Sequence, residues 1–317
     1  MIIEEPLLKW LLEGDPAVRW QIMHDLLNAK RPDVEKERLK ISKEGWGSRL
    51  LAMQEPSGLW GGGIYTPKWI STTYTLILLR RYGLEQQHPK VQKSCKILLD
   101  KGFYKDGGIN YFASLKNSET CVTGMVLSIL SYFQYVDNRL NSLVDYLLRE
   151  QMPDGGWNCQ RYKGARHSSF HTTINVLEGL LEFQSYREYA LQQIYESQKK
   201  AVEFLLQHKL FRSHRTGEVV DPKMLRLSFP PRWRYDILRA LDYFQKAKIS
   251  YDSRMDDALG ILQKKRQQDG LWPLQNRHPG KAFFEMEQVS KASRWNTLRS
   301  LRVLNWFQPN KFSIELV

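Results

Sequence analysis

The sequence predicts an all-α fold, an α/α toroid in which inner and outer helices alternate around a ring. Apolar segments of helix length recur at intervals of 50 to 61 residues. Strand-type alternation is nearly absent, and three segments share one ending: an apolar helix, Gln, a Gly turn and Trp. Units of two helices cannot bury their apolar faces alone, so they must stack, and we expect the stack to close on itself.

The composition narrows the class of protein. The chain has 317 residues, a net charge of +13, 42% hydrophobic and 26% charged residues, which is typical of globular proteins. Three cysteines do not make a disulfide scaffold and suit a reducing compartment. The first residues do not resemble a signal peptide, and no apolar run reaches the roughly 18 residues that a membrane helix needs. We therefore expect a cytoplasmic protein.

Residues 1–45 are predicted to form N-terminal helices that pack on the toroid, and residues 46–317 the toroid itself, as one structural domain. In the first segment Asp15 is a typical N-cap residue, and Pro16 suits the first position of a helix.

The repeats give the order of the remaining helices. The shared ending occurs at 51–63, 146–159 and 261–274, with degenerate copies at 97–112 and 201–217. Each copy is followed by a second, more apolar helix, which is expected to belong to the inner ring. These second helices align on Leu76, Leu127, Leu177, Leu238 and Leu298. Five to six helix pairs are predicted, and an open solenoid is the alternative.

The pattern Gln-x(3–5)-Gly-x-Trp after an apolar helix resembles the QW repeat of terpene cyclases and protein prenyltransferase β-subunits. The resemblance covers roughly residues 46–305. It implies an α/α toroid with an apolar central cavity for an isoprenoid or similar lipid. Class II terpene cyclases use an Asp-x-Asp-Asp motif to protonate an alkene. That motif is absent from this sequence, which argues against their chemistry.

The prenyltransferase resemblance also implies a zinc site. Glu119-Thr120-Cys121 stands where the family has Asp-x-Cys, and Phe170-His171-Thr172 resembles its aromatic-His-Thr. Cys121 and His171 each lie six residues before an aligned leucine, so we expect them at equivalent places on adjacent helices, within reach of one ion. Cys159 is a third candidate ligand, and Glu119 and His167 are weaker ones. Buried, inert cysteines and a hydrogen-bonded histidine are the alternative.

Further candidates lie near the starts of the inner helices. Asp236 is a candidate catalytic acid, with pairing to an arginine as the alternative. Arginine grips phosphate oxygens well, and the resemblance adds one lysine of the family's diphosphate cluster. The aromatic candidates either line an isoprenoid pocket or pack in the core. The predicted substrate-binding residues are Lys116, Arg232, Trp233, Arg234, Tyr74, Asn175, Asn296 and Trp295.

Two functional hypotheses follow. In the first, zinc at the rim of the cavity holds a thiol substrate as thiolate, which attacks an isoprenoid diphosphate. In the second, the toroid binds a lipid or another partner without catalysis, and the metal is structural or lacking. The scattered positive charge favours anionic partners, but no nucleic-acid-binding motif is present in the sequence, which argues against nucleic acid.

Overall fold

The computed structural model describes residues 5–307, which form thirteen α-helices and no strand. This confirms the all-α prediction. The helices are α1 Glu5–Leu12, α2 Pro16–Asp25, α3 Arg31–Arg38, α4 Gly45–Ala52, α5 Thr72–Tyr82, α6 Pro89–Gly102, α7 Thr120–Tyr132, α8 Arg139–Arg149, α9 Phe170–Gln184, α10 Leu191–Gln207, α11 Ile237–Lys246, α12 Asp256–Lys264 and α13 Arg294–Phe307. No described helix is long and apolar enough to cross a membrane.

Six helices form the inner ring. Five of them, α5, α7, α9, α11 and α13, carry the aligned leucines, and α2 is the sixth because it contacts both α13 and α5. The neighbours α9 and α11 are joined by Arg239, whose Nε donates to Glu178 Oε1 at 2.8 Å. The toroid therefore closes with six inner helices. One of them comes from residues 1–45, the segment predicted to pack on the toroid from outside.

Burial separates the inner helices from the outer ones. The inner helix α7 buries every residue from Val122 to Ser131. The outer helix α8 buries one stripe, at Leu140, Leu143, Val144 and Leu147, as expected of a helix with one face toward solvent. The helices that are apolar nearly all round thus lie inside, as predicted.

The shared ending of the repeats builds one structure three times. Trp60, Trp157 and Trp272 are fully buried. In each case the indole N–H donates, at 2.7 Å, to a carbonyl ten residues earlier, that of Leu50, Leu147 or Leu262. The backbone N–H of each tryptophan donates, at 3.0 Å, to a threonine hydroxyl of the next inner helix, that of Thr72, Thr173 or Thr297. Each tryptophan therefore ties an outer helix to the following inner helix.

The turn before each tryptophan requires glycine. Gly58, Gly155 and Gly270 have φ of 92°, 94° and 82°, in the left-handed region that glycine adopts without steric cost. Gln54 and Gln151 donate to the carbonyls of the turn glycines at 3.3 and 2.7 Å. In the third copy an arginine takes this role: Arg266 Nε donates to Gly270 O at 3.1 Å.

Two glycines bring α7 and α9 unusually close. A Cβ on Gly179 would lie 2.5 Å from the carbonyl oxygen of Gly124, and a Cβ on Gly124 would lie 2.8 Å from that of Asn175. Because no side chain separates the two backbones, the first turns of α7 and α9 stand side by side. Cys121 and His171 lie in these two turns.

We expect Trp157→Ala to lower the free energy of unfolding by about 3–5 kcal/mol, because it removes a fully buried indole and the bond to Leu147. Urea unfolding followed by circular dichroism measures this. The control is Tyr195→Ala on α10, where the side chain is 57% exposed and the expected change is within about 0.5 kcal/mol. Equal losses in the two variants would contradict the role given to Trp157.

Candidate functional site at the rim of the ring

We call the end of the toroid where the inner helices begin the N-terminal rim. It comprises the segments that lead into α5, α7, α9, α11 and α13, namely residues 64–71, 117–121, 157–172, 228–236 and 276–295. Most of the residues predicted to form a site lie here, and Lys116, Tyr74, Asn175 and Asn296 lie within three residues of these segments.

The rim brings two cysteines together. Cys121, the second residue of α7, and Cys159, in the turn after Trp157, are close enough to shift each other's pKa. The sulfur of Cys159 lies 3.0 Å from the hydroxyl of Thr172 on α9, and the backbone N–H of Cys159 donates to the same hydroxyl at 3.3 Å. Both cysteines are half-buried.

The surroundings shift the pKa values of the two thiols in opposite directions. The neighbouring Cys121 lowers the pKa of Cys159 to about 7, against the effect of burial, and Thr172 contributes. The same pairing, together with burial, raises the pKa of Cys121 well above its usual value. Within the pair, Cys159 is therefore the cysteine that ionises first as the pH rises.

A carboxylate completes this cluster. Glu119, the residue before α7, acts electrostatically on both sulfurs. Its Oε2 is buried and has no hydrogen-bond partner among residues 5–307. Burial raises the pKa of Glu119, although the positive charges of Lys68 and Lys163 oppose this.

His171 points away from the thiol pair. Its Nδ1 accepts the backbone N–H of Tyr235 at 2.9 Å, and its ring packs edge-on against Trp233 at 5.2 Å. Burial, with help from Arg234 and Arg239, lowers the pKa of His171 to about 4, so the ring is neutral. A neutral imidazole that accepts at Nδ1 carries its proton on Nε2, so neither nitrogen offers a free lone pair to a metal.

The predicted metal ligands are therefore not assembled. Within the part of the chain that the structure describes, no group of three or more His, Cys, Asp or Glu side chains could hold a metal ion. Cys121, Cys159 and Glu119 lie together, but His171 turns toward α11. His167 lies in an exposed loop, where its carbonyl accepts from Asn158. These residues do not fit the four-ligand zinc site, because shared height on adjacent helices does not fix where the side chains point.

Two of the predicted site residues, Asp236 and Asn296, form hydrogen bonds with backbone groups. Asp236 caps α11: Oδ1 accepts the N–H of Arg239 at 2.8 Å, and Oδ2 accepts that of Ser228 at 3.3 Å. Burial raises the pKa of Asp236, while Arg299 opposes this. Asn296 donates to two loop carbonyls, those of Leu227 and Pro273. Asp236 therefore makes the bonds of a helix cap, and among the described residues it forms no ion pair with an arginine, which was the predicted alternative; its role as a catalytic acid stays a prediction.

The predicted substrate-binding residues divide among several environments. Asn175 bonds Arg239 Nη2 and the carbonyl of Trp233. Arg234 stacks on Trp233 at 4.6 Å, and Lys116 is exposed. Arg232 lies 5.5 Å from the ring of Trp69, and burial lowers its pKa to about 10. Tyr74 packs edge-on against the same Trp69 ring at 4.7 Å.

The axis of the ring is filled by aromatic side chains near the rim. Trp295 stacks on Phe229 at 4.2 Å and faces Tyr82 at 5.9 Å, nearly parallel to both. A cavity beside Trp69 and Phe284 holds only about 20 Å³. The apolar central cavity that the resemblance implied stays a prediction. A cavity of about 380 Å³ lies toward the other end of the ring, and its wall combines apolar and charged side chains.

The sequence analysis did not identify Thr172 as part of the site. Its hydroxyl contacts the sulfur of Cys159, and its own N–H is capped by the hydroxyl of Ser169 at 3.4 Å. The residue belongs to the motif that suggested His171, but the motif does not show that threonine rather than histidine faces the thiol.

No protein-family model and no curated protein matches the chain. Similar solved structures include a polysaccharide lyase, with 12% identity, a TM-score of 0.51 and coverage of 96% of this chain and 92% of that one. A type II terpene cyclase from Scytonema, in complex with its substrate geranylgeranyl dihydroxybenzoate, has 16% identity, a TM-score of 0.47 and coverage of 92% and 86%. A protein from Actinoplanes has 13% identity, a TM-score of 0.48 and coverage of 92% of this chain and 90% of that one.

These likenesses concern the fold. The polysaccharide lyase shares the arrangement of helices over almost the whole of both chains. Type II terpene cyclases are among the similar structures, as the resemblance of the repeats predicted. Activity does not follow from a shared fold, so the chemistry must be argued from the site.

The low pKa of His171 makes a prediction about pH. Between its ordinary value of 6.5 and about 4, the unfolded chain binds a proton at this residue that the folded chain does not. The free energy of unfolding should therefore fall as pH drops through this window, by up to about 1.4 kcal/mol per pH unit. His171→Gln, which keeps an acceptor for Tyr235, should make the fall shallower in urea unfolding at several pH values. The control is the exposed His167→Gln, and an unchanged slope in His171→Gln would contradict the prediction.

Proposed function

We propose that the protein is a thiolate-dependent enzyme whose reactive group is Cys159 at the N-terminal rim. The observation that supports this proposal is the half-buried sulfur of Cys159, which lies 3.0 Å from the Thr172 hydroxyl and whose pKa is lowered by the neighbouring Cys121 and Thr172. Such surroundings stabilise a thiolate, which is the nucleophilic form of cysteine. Inert structural cysteines do not need them, as the fully buried Cys95 illustrates, whose pKa is raised by burial.

The step we assign is a nucleophilic displacement. A lone pair of the Cys159 sulfur forms a bond to an electrophilic carbon, and the leaving group departs with the electrons of the broken bond. An acceptor nucleophile then attacks the same carbon, and the electrons of the carbon–sulfur bond return to Cys159, which leaves as the thiolate. The thiol proton has already passed to solvent in the fraction of molecules that hold the thiolate. Lys68 and Lys163, which act on Glu119, place positive charge near this point and favour an anionic leaving group.

An allylic isoprenoid is the substrate class to test first, because the repeats resemble those of prenyltransferases. A second observation favours an unsaturated substrate. The ammonium of Lys68 lies 5.4 to 5.7 Å from the rings of Tyr65, Trp69 and Trp233, so the rim presents several aromatic rings around one exposed cation. Such rings suit both an apolar chain and a carbon that develops positive charge.

Zinc at the thiol pair is a second proposal. It rests on the two rim cysteines, because thiolates are preferred zinc ligands, and it leaves out His171, whose Nδ1 already accepts from Tyr235. The described residues hold no preformed set of three ligands, so binding would require Cys121, Cys159 and Glu119 to rearrange around the ion. Metal analysis of the purified protein, compared with Cys121→Ser and with Cys159→Ser, tests it. Equimolar zinc that either substitution removes would support the proposal, and zinc-free protein from zinc-containing medium would contradict it.

We expect iodoacetamide to alkylate Cys159 faster than Cys121 or Cys95, with a rate that is half-maximal near pH 7, because its thiolate is stabilised. Peptide mass spectrometry measures each cysteine separately, and Cys95 is the internal control. Thr172→Val should slow alkylation of Cys159 at pH 7 by about 2- to 10-fold, since it removes one donor. If Cys159 reacts no faster than an unfolded-chain cysteine, with a midpoint near the ordinary pKa of about 8.5, the proposal is wrong.

A further inference from the structure

The cavity at the far end of the ring is independent of the thiol site. It measures about 380 Å³ and is lined by the later residues of all six inner helices, so it lies where these helices end. We call it the central cavity. Trp295 and Phe229, whose stacked rings fill the axis nearer the rim, also belong to its wall.

Positive charge dominates the wall of the central cavity. Seven lysines and arginines line it, against four aspartates and glutamates, which gives a net charge of +3 with histidine neutral. The cations are Arg80, Arg81, Arg239, Arg299, Arg302, Lys246 and Lys248, and the anions are Asp25, Glu178, Glu182 and Asp242. All five arginines come from inner helices that are otherwise apolar, where charge is costly unless it has partners.

The carboxylates are shared, so they do not saturate the arginines. Glu178 pairs with Arg80, Arg81 and Arg239 at 3.0, 3.0 and 2.8 Å. Because of Arg239 and Arg81, and despite its burial, the pKa of Glu178 lies well below its usual value. Burial, with the neighbouring arginines and against Glu178, lowers the pKa of Arg81 to about 10.

Arginine donors remain without acceptors. Arg299 is only 3% exposed; its Nε bonds Asp242 at 3.3 Å and its Nη1 the carbonyl of Ser228 at 3.4 Å. Its Nη2 has no partner in the described chain, and the same holds for the Nε atoms of Arg80 and Arg81. A buried donor without an acceptor is unfavourable, and an anionic ligand with several oxygen atoms would relieve it.

The ends of the helices do not explain these arginines. Helix C-termini carry partial negative charge and attract cations. Yet Arg80, Arg81 and Arg302 donate to side-chain carboxylates and not to the last carbonyls of the helices. Arginine and carboxylate side chains therefore form a network of their own across the ring, in which cations are in excess.

We propose that the central cavity binds a small molecule that carries a phosphate or diphosphate group, with the phosphoryl oxygens at Arg81 and Arg299, which keep unpartnered donors. Guanidinium groups bind phosphoryl oxygens in bidentate fashion, and a group of charge −2 or −3 offsets the excess on the wall. The organic part of the ligand packs against Trp20, Phe229 and Trp295. The volume is at the lower end of the range for small-molecule sites.

The ligand reaches this site from the side opposite the thiol pair. Lys246 and Trp306, which also line the cavity, are 59% and 41% exposed, so they mark its opening. The stack of Trp295 and Phe229 lies between the cavity and the rim. Binding at the arginines therefore does not require the cysteines.

The test is isothermal titration of the full-length protein with inorganic diphosphate. We expect one site per chain, and a higher melting temperature in the presence of the anion, because it binds the folded state. Arg299→Gln should weaken binding by about tenfold or more, whereas Arg149→Gln on the outer helix α8, where the side chain is 56% exposed, should leave it unchanged. Cys159→Ser should also leave diphosphate binding unchanged. The result for the cavity is therefore independent of whether Cys159 is a nucleophile.

Two further arms keep the test decisive. If Arg299→Gln does not fold, Lys248→Gln changes only an exposed cation of the wall and should weaken diphosphate binding by about 2- to 5-fold, more at low salt than at high salt. Citrate titrated in parallel separates phosphoryl from carboxylate ligands. The proposal is overturned if diphosphate does not bind at about 10 mM, if sulfate or citrate binds as tightly, or if folded Arg299→Gln or Lys248→Gln binds like the wild type.

Discussion

The ring depends on one interaction that is made three times. A buried tryptophan donates its indole N–H to the preceding outer helix and its backbone N–H to a threonine of the following inner helix. An apolar side chain of the same size would pack there and keep the backbone bond to the threonine, but it would leave a buried carbonyl of the outer helix with fewer partners. The tryptophan thus fixes both the spacing and the orientation of consecutive helices, and a closed ring needs both.

In the degenerate copy of the repeat at 97–112, only part of this interaction is formed. Ile109 stands at the tryptophan position of a degenerate copy, and its backbone N–H still donates to a threonine of the next inner helix, Thr123, at 2.9 Å. The hydrogen bond from the indole N–H has no counterpart, because isoleucine has no side-chain donor. The rim cysteines lie around this copy and the next one, where α7 and α9 approach through Gly124 and Gly179. Close backbone contact replaces the indole as the element that positions these helices.

The two ends of the ring have different chemistry. The beginnings of the inner helices present N–H groups, which favour negative charge, and the proposed nucleophile Cys159 lies at this end. The arginines of the central cavity come from α5, α11 and α13; Glu178 on α9 pairs with Arg80 across the ring, and Asp242 on α11 pairs with Arg299 of the neighbouring α13. The stacked rings of Trp295 and Phe229 belong to the wall of the proposed anion site.

The sequence by itself determined the fold, because the glycine turn and the tryptophan recur at fixed positions and the inner helices are apolar all round. It also placed Cys121, Cys159 and Glu119 in one region. It did not determine that α2 completes the ring, since that helix lacks the repeat. The direction of His171 was decided only by tertiary structure, because the N–H of Tyr235, 64 residues later, competes for its nitrogen. The arginine cluster can be recognised in the sequence, because apolar helices contain Arg80, Arg81, Arg239, Arg299 and Arg302. Only the closure of the ring brings them to one cavity.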